Sequence, residues 1–181
     1  MMKWLRENRY AAGLLLFVRL YLGYEWMTGG WHKLTGGFDA TGFLKNAVAN
    51  PVADKATKEL VYPTFHAFLE TFALPNAKLF NFLIPLGEFL VGLGLLLGCL
   101  TAAAAFFGLL MNFMFLFAGT VSTNPWLVLL GGIVFMAGMN AGKFGVDFYL
   151  MPYLKTVWRK LTHAKDEGGK PAGKTGTPAH A

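Results

Sequence analysis

Four stretches of this chain stay apolar for long enough to cross a lipid bilayer as helices. A span needs about 20 mostly apolar residues, because the hydrocarbon core is about 30 Å thick. Residues 10–28, 77–98, 101–119 and 125–142 meet that length. The runs 89–100 and 125–139 contain no charged residue, whereas Arg19 and Glu25 interrupt the first span. The runs are continuous and lack the alternation of barrel strands, so the pattern predicts helices that satisfy their own backbone inside lipid. The expected fold is an all-α membrane protein, a four-transmembrane-helix bundle. Arg19 in mid-run and the lack of a small-residue cleavage site mark the first span as a retained helix, not a cleaved signal.

Basic residues set the expected orientation. Lys3, Arg6 and Arg9 precede the first span, and Lys143, Lys155, Arg159, Lys160 and Lys165 follow the last. Both termini are therefore expected to be cytoplasmic, with residues 29–76 and 120–124 facing outward. Trp26, Trp31 and Trp126 then fall at the outer interface, and Trp4, Tyr10 and Tyr149 at the inner one, as an aromatic belt requires. The long outer loop is amphipathic. Residues 64–72 place Phe65, Phe68, Leu69 and Phe72 at helical spacing opposite His66 and Glu70, which predicts a short helix on the interface or over the bundle. Residues 39–50 are a second candidate helix, and Pro51, Pro63 and Pro75 punctuate the loop. Residues 149–161 are basic and aromatic and are expected on the inner leaflet. The membrane domain is placed at 1–162, and 163–181 read as a disordered polar tail.

Composition narrows the chemistry. The chain has 181 residues, 55% hydrophobic and 14% charged, against about 25% charged in soluble domains. That makes a soluble globular domain a poor description, and the length suits one domain. The net charge of +6 is concentrated at the two ends, which points to membrane topology and not to a nucleic-acid surface. A single cysteine, Cys99, makes no internal disulfide, no CxxC and no thiolate metal cluster. The four histidines, His32, His66, His163 and His180, lie outside the four spans, so a bis-histidine haem has no ligands there. No glycine-rich nucleotide fingerprint and no zinc-ligand spacing occurs, and no metal site is expected.

Polar residues within the spans carry the remaining information, because each is costly unless paired. At 1.5 Å per residue, Arg19 lies roughly 13 Å, Glu88 roughly 15 Å and Asn112 roughly 16 Å from the inner boundary. A cation, an anion and a carboxamide at one depth predict an interior Arg19–Glu88 pair with Asn112 beside it. Small residues support close packing there: Ala105, Gly108, Asn112 and Gly119 share one helix face, and Asn81, Glu88, Gly92 and Cys99 another. Arg19 shares a face with Gly23, Trp26 and Gly30, and Pro85 with its glycine neighbours loosens the second span near Glu88. A second polar group, Glu25, His32, Lys33 and Asn81, lies near the outer boundary. Two readings stay open. The pair either fixes helix register or lines a cavity that binds a small molecule or relays protons.

Three motifs, taken in order, resemble a known family. The first span reads Arg19-Leu-Tyr-Leu-Gly-Tyr-Glu-Trp-Met-Thr-Gly-Gly-Trp-His-Lys33-Leu, the second Leu86-Gly-Glu88-Phe-Leu-Val-Gly-Leu-Gly-Leu-Leu-Leu-Gly98, and the fourth ends Asn140-Ala-Gly-Lys-Phe-Gly-Val-Asp147. This set resembles the DoxX/DoxD family of small four-helix bacterial membrane proteins over about residues 14–147. The resemblance implies a multi-pass protein of the bacterial plasma membrane, and a membrane subunit of a thiosulfate:quinone-type oxidoreductase or a protein of quinone or thiol stress. Arg19, Lys33, Glu88 and Asp147, with Lys143, fall on the family pattern. It also implies that any cofactor is a diffusible quinone and is not covalently bound. Glu88 and Arg19 are then the candidate catalytic residues. Arg19, Trp26, Glu25, His32, Lys33, Asn81 and Asn112 are candidate binding residues, and Asp147 and Lys143 structural ones. The expected partners are the lipid bilayer, quinone and a soluble or membrane redox protein, with a homo-oligomer left open and no nucleic acid. The competing reading is a non-enzymatic membrane scaffold or accessory subunit.

Overall fold

The computed structural model describes residues 2–167, with side chains as far as residue 160. Eight helices follow one another: α1 (Met2–Glu7), α2 (Arg9–Thr35), α3 (Ala40–Ala49), α4 (Pro63–Phe68), α5 (Ala77–Leu97), α6 (Thr101–Phe117), α7 (Asn124–Ala137) and α8 (Asp147–Glu167). Helix α4 runs on into a π-helical turn, Leu69–Ala73, and α7 into a 3-10 turn, Gly138–Asn140. The described residues hold no β-strand, only an isolated antiparallel bridge between Ala53 and Leu60. Of the described helices, α5 is the one both long and apolar enough to span a membrane, and α6 and the α7 segment are shorter apolar helices. Helix α2 is longer, at 27 residues, but carries Arg9, Arg19, Glu25 and Lys33.

Local chemistry sets the element ends. The Asn8 side chain accepts from the Tyr10 and Ala11 amides and starts α2. Asp39 starts α3 by accepting from the Thr41 amide and hydroxyl, and these bonds hold its carboxyl below the usual carboxylate range. Helix α5 closes on Gly98 at φ 63°, a left-handed turn that glycine takes without strain. Helix α2 thus continues about two turns beyond residue 28, the expected end of the first span, and that extension carries Lys33.

Helices α2 and α5 pack antiparallel and very closely. Gly23 lies against Leu96, Gly92 against Met27 and Gly30 against Phe89, each at backbone contact. Helices α6 and α7 complete the bundle, whose interior holds Leu15, Leu22, Trp26, Val91, Leu95 and Val134. A second cluster, with Ala40, Leu44, Leu69, Ala73 and Ala118 at its centre, joins α3 and the α4 π-turn to the ends of α5 and α6. The segment between α2 and α5 is thereby folded down as a cap.

The outside of the bundle is apolar. Leu14, Phe17 and Tyr24 of α2, Phe82 and Leu90 of α5, Phe106 and Phe107 of α6, and Trp126 and Leu129 of α7 are all exposed. The interior instead contains Arg19, Glu88, Thr101, Asn112 and Asn140. Residues up to Phe148 form one compact unit, and those from Tyr149 another. In the second unit, α8 is helical to Glu167, with Pro152 in its second turn and Tyr149, Tyr153 and Trp158 exposed. Beyond Glu167, the polar tail expected from residue 163 lies outside the described residues.

Candidate functional site

The glycine contacts fix a register that decides which polar groups meet. Continued from Gly30 against Phe89, that register sets Lys33 opposite Leu86, within side-chain reach of Glu88. Side chains on a helix lean toward its N-terminus, so Lys33, near the C-terminal end of α2, leans back into the bundle. Its Nζ donates to Glu88 Oε1 at 2.5 Å. The Glu88 side chain is almost fully buried and Lys33 is 34% exposed. The ammonium also faces the rings of Phe38, at 5.5 Å, and Phe115, at 5.8 Å, which favours a cation there.

The expected Arg19–Glu88 pair does not form. Arg19 sits opposite the α5–α6 turn, and its lean toward the helix N-terminus carries the guanidinium away from Glu88. Arg19 Nη1 donates to the Ala141 carbonyl and Nη2 to the Phe144 carbonyl, both at 3.0 Å. Asp147 supplies the nearby opposing charge and caps α6 from a distance. Its Oδ1 accepts from the Leu100 amide at 2.7 Å and Oδ2 from the Thr101 amide at 2.8 Å. Arg19 and Asp147 therefore tie the exit of α7 to the α5–α6 turn. Lys143, half-buried, lies in that same exit segment.

The ion pair stands on the wall of a cavity of about 410 Å³, within the range of small-molecule sites. Glu25, Trp26 and Gly29 of α2 line one side, and Phe38, Phe43, Ile84 and Phe115 supply apolar walls. Thr120, Ser122, Thr123 and Asn124, from the α6–α7 turn, add polar groups. Glu88 Oε2 is buried without a hydrogen-bond partner and lies beside Gly29. Burial of a carboxylate oxygen without a donor is costly, which leaves Lys33 as the group that offsets the burial of Glu88.

The other expected site residues fall elsewhere. His32 is exposed and is not in the cavity lining. Asn81 is committed to α3: its Oδ1 accepts from the Ala40 amide at 2.7 Å and its Nδ2 donates to Asp39 at 3.3 Å. Asn112, expected beside an Arg19–Glu88 pair, is buried on α6 with Oδ1 unpartnered, and it is not among the residues lining the cavity. The α6–α7 turn, expected as a short outer loop, contributes to the cavity lining, and the signal for it is four polar residues in five positions. Among the described residues, no three histidine, cysteine or carboxylate side chains gather as a metal site.

The pair makes a direct prediction. Lys33→Met leaves Glu88 buried without its cation and is expected to cost about 2 kcal/mol, less than a fully buried pair because Lys33 keeps some water. Adding Glu88→Met should recover most of that loss. A double-mutant cycle by thermal unfolding reads the coupling, and additive losses would deny the pair.

The DoxX family model matches residues 14–122, more than half of the chain. The chain belongs to the DoxX family. The DoxX match takes in Arg19, Glu25, Lys33 and Glu88 and ends at Ser122, before Lys143 and Asp147. It therefore spans most of the residues lining the Lys33–Glu88 cavity. No curated protein matches the chain, and no solved structure does.

Proposed function

We propose that this DoxX protein is a multi-pass protein of the bacterial plasma membrane and the membrane subunit of a quinone-linked oxidoreductase, with the Lys33–Glu88 cavity as its quinone site. On this reading α2, α5, α6 and the α7 segment are the four spans, with both termini cytoplasmic. Support comes from the exposed apolar belt around a polar-centred bundle, since monomeric soluble proteins rarely expose continuous apolar surface of that kind. The observation that carries the site assignment is the buried Glu88 carboxylate, paired with Lys33 at the wall of a cavity that also has Trp26, Phe38, Phe43 and Phe115 in its lining.

A quinone bound there supplies the electron-accepting chemistry, its electrons arriving from a partner protein. The chain's own groups suit its carbonyl oxygens. Lys33 Nζ has donors beyond the one given to Glu88, and Glu88 holds a proton at Oε2 when neutral and accepts one when charged. The rings of Trp26, Phe38, Phe43 and Phe115 offer apolar surface on which a flat ring can pack. Trp26 and Glu25 complete the α2 side of the site.

The test is mild detergent extraction followed by mass spectrometry of bound lipid-soluble molecules, for wild type and Glu88→Gln. Quinone should co-purify with wild type and fall at least about tenfold in the variant, because removing one hydrogen-bonded charged group costs that much binding. Equal retention by both would remove Glu88 from the site. No quinone in either protein, with both equally folded, would leave the scaffold or accessory-subunit reading in its place.

A further inference from the structure

A groove lies on the outside of the bundle, at the other end of α2 from the Lys33–Glu88 cavity. It measures about 570 Å³ and is lined by Arg9, Tyr10, Gly13, Leu14, Phe17 and Phe144. Arg9, Gly13 and Phe17 follow one another at intervals of four residues, so the groove is a strip along one face of α2. At 1.5 Å per residue the strip is about 12 Å long. Its bed is a glycine that no contact explains. Gly23 and Gly30 of the same helix have the α5 backbone pressed against them, but a β-carbon at Gly13 meets nothing within 4 Å. Glycine inside a helix costs up to about 1 kcal/mol against alanine, and here it leaves open space between Tyr10, Leu14, Phe17 and Phe144, all exposed. The upper end of the strip is cationic. The Arg9 side chain is exposed and has no hydrogen bond or ion pair to another described residue. Asn8 already holds the Tyr10 and Ala11 amides, so the charge on offer is the guanidinium and not the helix end. Lys3 and Arg6 precede it, Lys143 adjoins Phe144, and Glu7 is the one acidic residue among the first ten.

We infer that this groove binds one anionic phospholipid, with its phosphate on Arg9 and an acyl chain along Gly13, Leu14, Phe17 and Phe144. The inference rests on the membrane reading above, in which Arg9 and Tyr10 lie at the inner boundary and Phe17 lies deeper in the apolar belt. It does not depend on the quinone assignment. Charge and shape together select the occupant. The inner leaflet supplies anionic headgroups, and a guanidinium takes a phosphate with two parallel hydrogen bonds. A chain seated over Gly13 fills the open bed and joins α2 to the exit segment of α7 at Phe144, whose carbonyl accepts from Arg19. A water-soluble anion uses Arg9 but leaves the bed empty, and an uncharged apolar guest fills the bed but leaves Arg9 unpaired.

The test titrates detergent-purified full-length protein with dioleoyl phosphatidylglycerol and with dioleoyl phosphatidylcholine, and native mass spectrometry counts the lipids bound per protein. Wild type should bind one phosphatidylglycerol at least about tenfold more tightly than phosphatidylcholine, the worth of a hydrogen bond to a charged group. Arg9→Gln should bring phosphatidylglycerol down to the phosphatidylcholine level, and Arg9→Lys should keep part of the preference. Gly13→Leu, whose side chain enters open space and so spares the packing, should weaken phosphatidylglycerol by about tenfold with Arg9 intact, because the chain loses its bed. Equal affinity of wild type for the two lipids would overturn the headgroup assignment. Unchanged phosphatidylglycerol affinity in folded Gly13→Leu would overturn the groove. Glycerol phosphate binding more tightly than the lipid, and with the same dependence on Arg9, would assign the site to a soluble anion and overturn the inference. Wild type that needs detergent but binds no phosphatidylglycerol would overturn the inference alone, whereas wild type that dissolves without detergent and retains no phospholipid would remove the membrane reading beneath it.

Discussion

Arg19→Met is expected to destabilise the folded protein by about 3 kcal/mol, or roughly 10 °C in the unfolding midpoint for a chain of this size. The guanidinium is 1% exposed and donates to two backbone carbonyls on the far side of the bundle, Ala141 and Phe144. Methionine fills much of the volume but donates nothing, so both carbonyls lose a charge-assisted bond in a buried setting. Asp147 also loses its compensating charge while it caps the start of α6. Arg19→Lys should rescue only part of the loss, because one ammonium does not reproduce the two-pronged geometry of a guanidinium. Thermal unfolding in detergent, followed by intrinsic fluorescence, reads the effect. The folded fraction of Arg19→Met should bind quinone as wild type does, since Arg19 is remote from Glu88. An unchanged midpoint, or a selective loss of quinone, would return Arg19 to the site.

Gly92→Ala is expected to cost about 3 kcal/mol by overpacking and to weaken quinone binding as well. A β-carbon at Gly92 would overlap the backbone of Met27, and backbone cannot rotate aside as a side-chain end can. The two helices must separate or slip. Either movement shifts Lys33 relative to Glu88, because that pair depends on the contacts of Gly23, Gly30 and Gly92. Gly13→Ala on the same α2 is the control. Nothing lies within 4 Å of a β-carbon there, and alanine is the better helix former by up to about 1 kcal/mol. Paired unfolding and quinone titrations should show Gly92→Ala losing both properties and Gly13→Ala losing neither. Equal behaviour of the two variants would mean that the α2–α5 approach does not set the site.

The helices were legible because apolar periodicity and turn chemistry are local. The expected second span, 77–98, is α5 with Gly98 as its left-handed cap, and Asp39 and Asn50 flank α3 as their side chains suggest. The expected helix at 64–72 forms, but partly as a π-turn, which no residue spacing announced. The sequence ends the first span at residue 28, because His32 and Lys33 beyond it suit an interface. Helix α2 runs on to Thr35 because Lys33 finds its counter-charge inside the bundle.

The site was half legible. Arg19 and Glu88 stand out in the sequence as charged residues that burial makes costly, and both are buried; Lys33 reads as a boundary residue, and Asp147 enters only through the family resemblance. Their pairing was not legible, because depth counted from two assumed boundaries put Arg19 level with Glu88. The helices instead meet with Gly98 of α5 facing residue 21 of α2, so Arg19 lies at the turn and Lys33 at the carboxylate. The sequence by itself determined that this chain forms apolar helices with a few charged residues that must be satisfied internally, because hydrophobicity and the cost of buried charge belong to residue types. Only the tertiary structure decided which charges satisfy one another. That choice depends on helix register, set by glycine contacts between distant segments, and on the N-terminal lean of side chains, which sends Arg19 toward one end of the bundle and Lys33 into its centre.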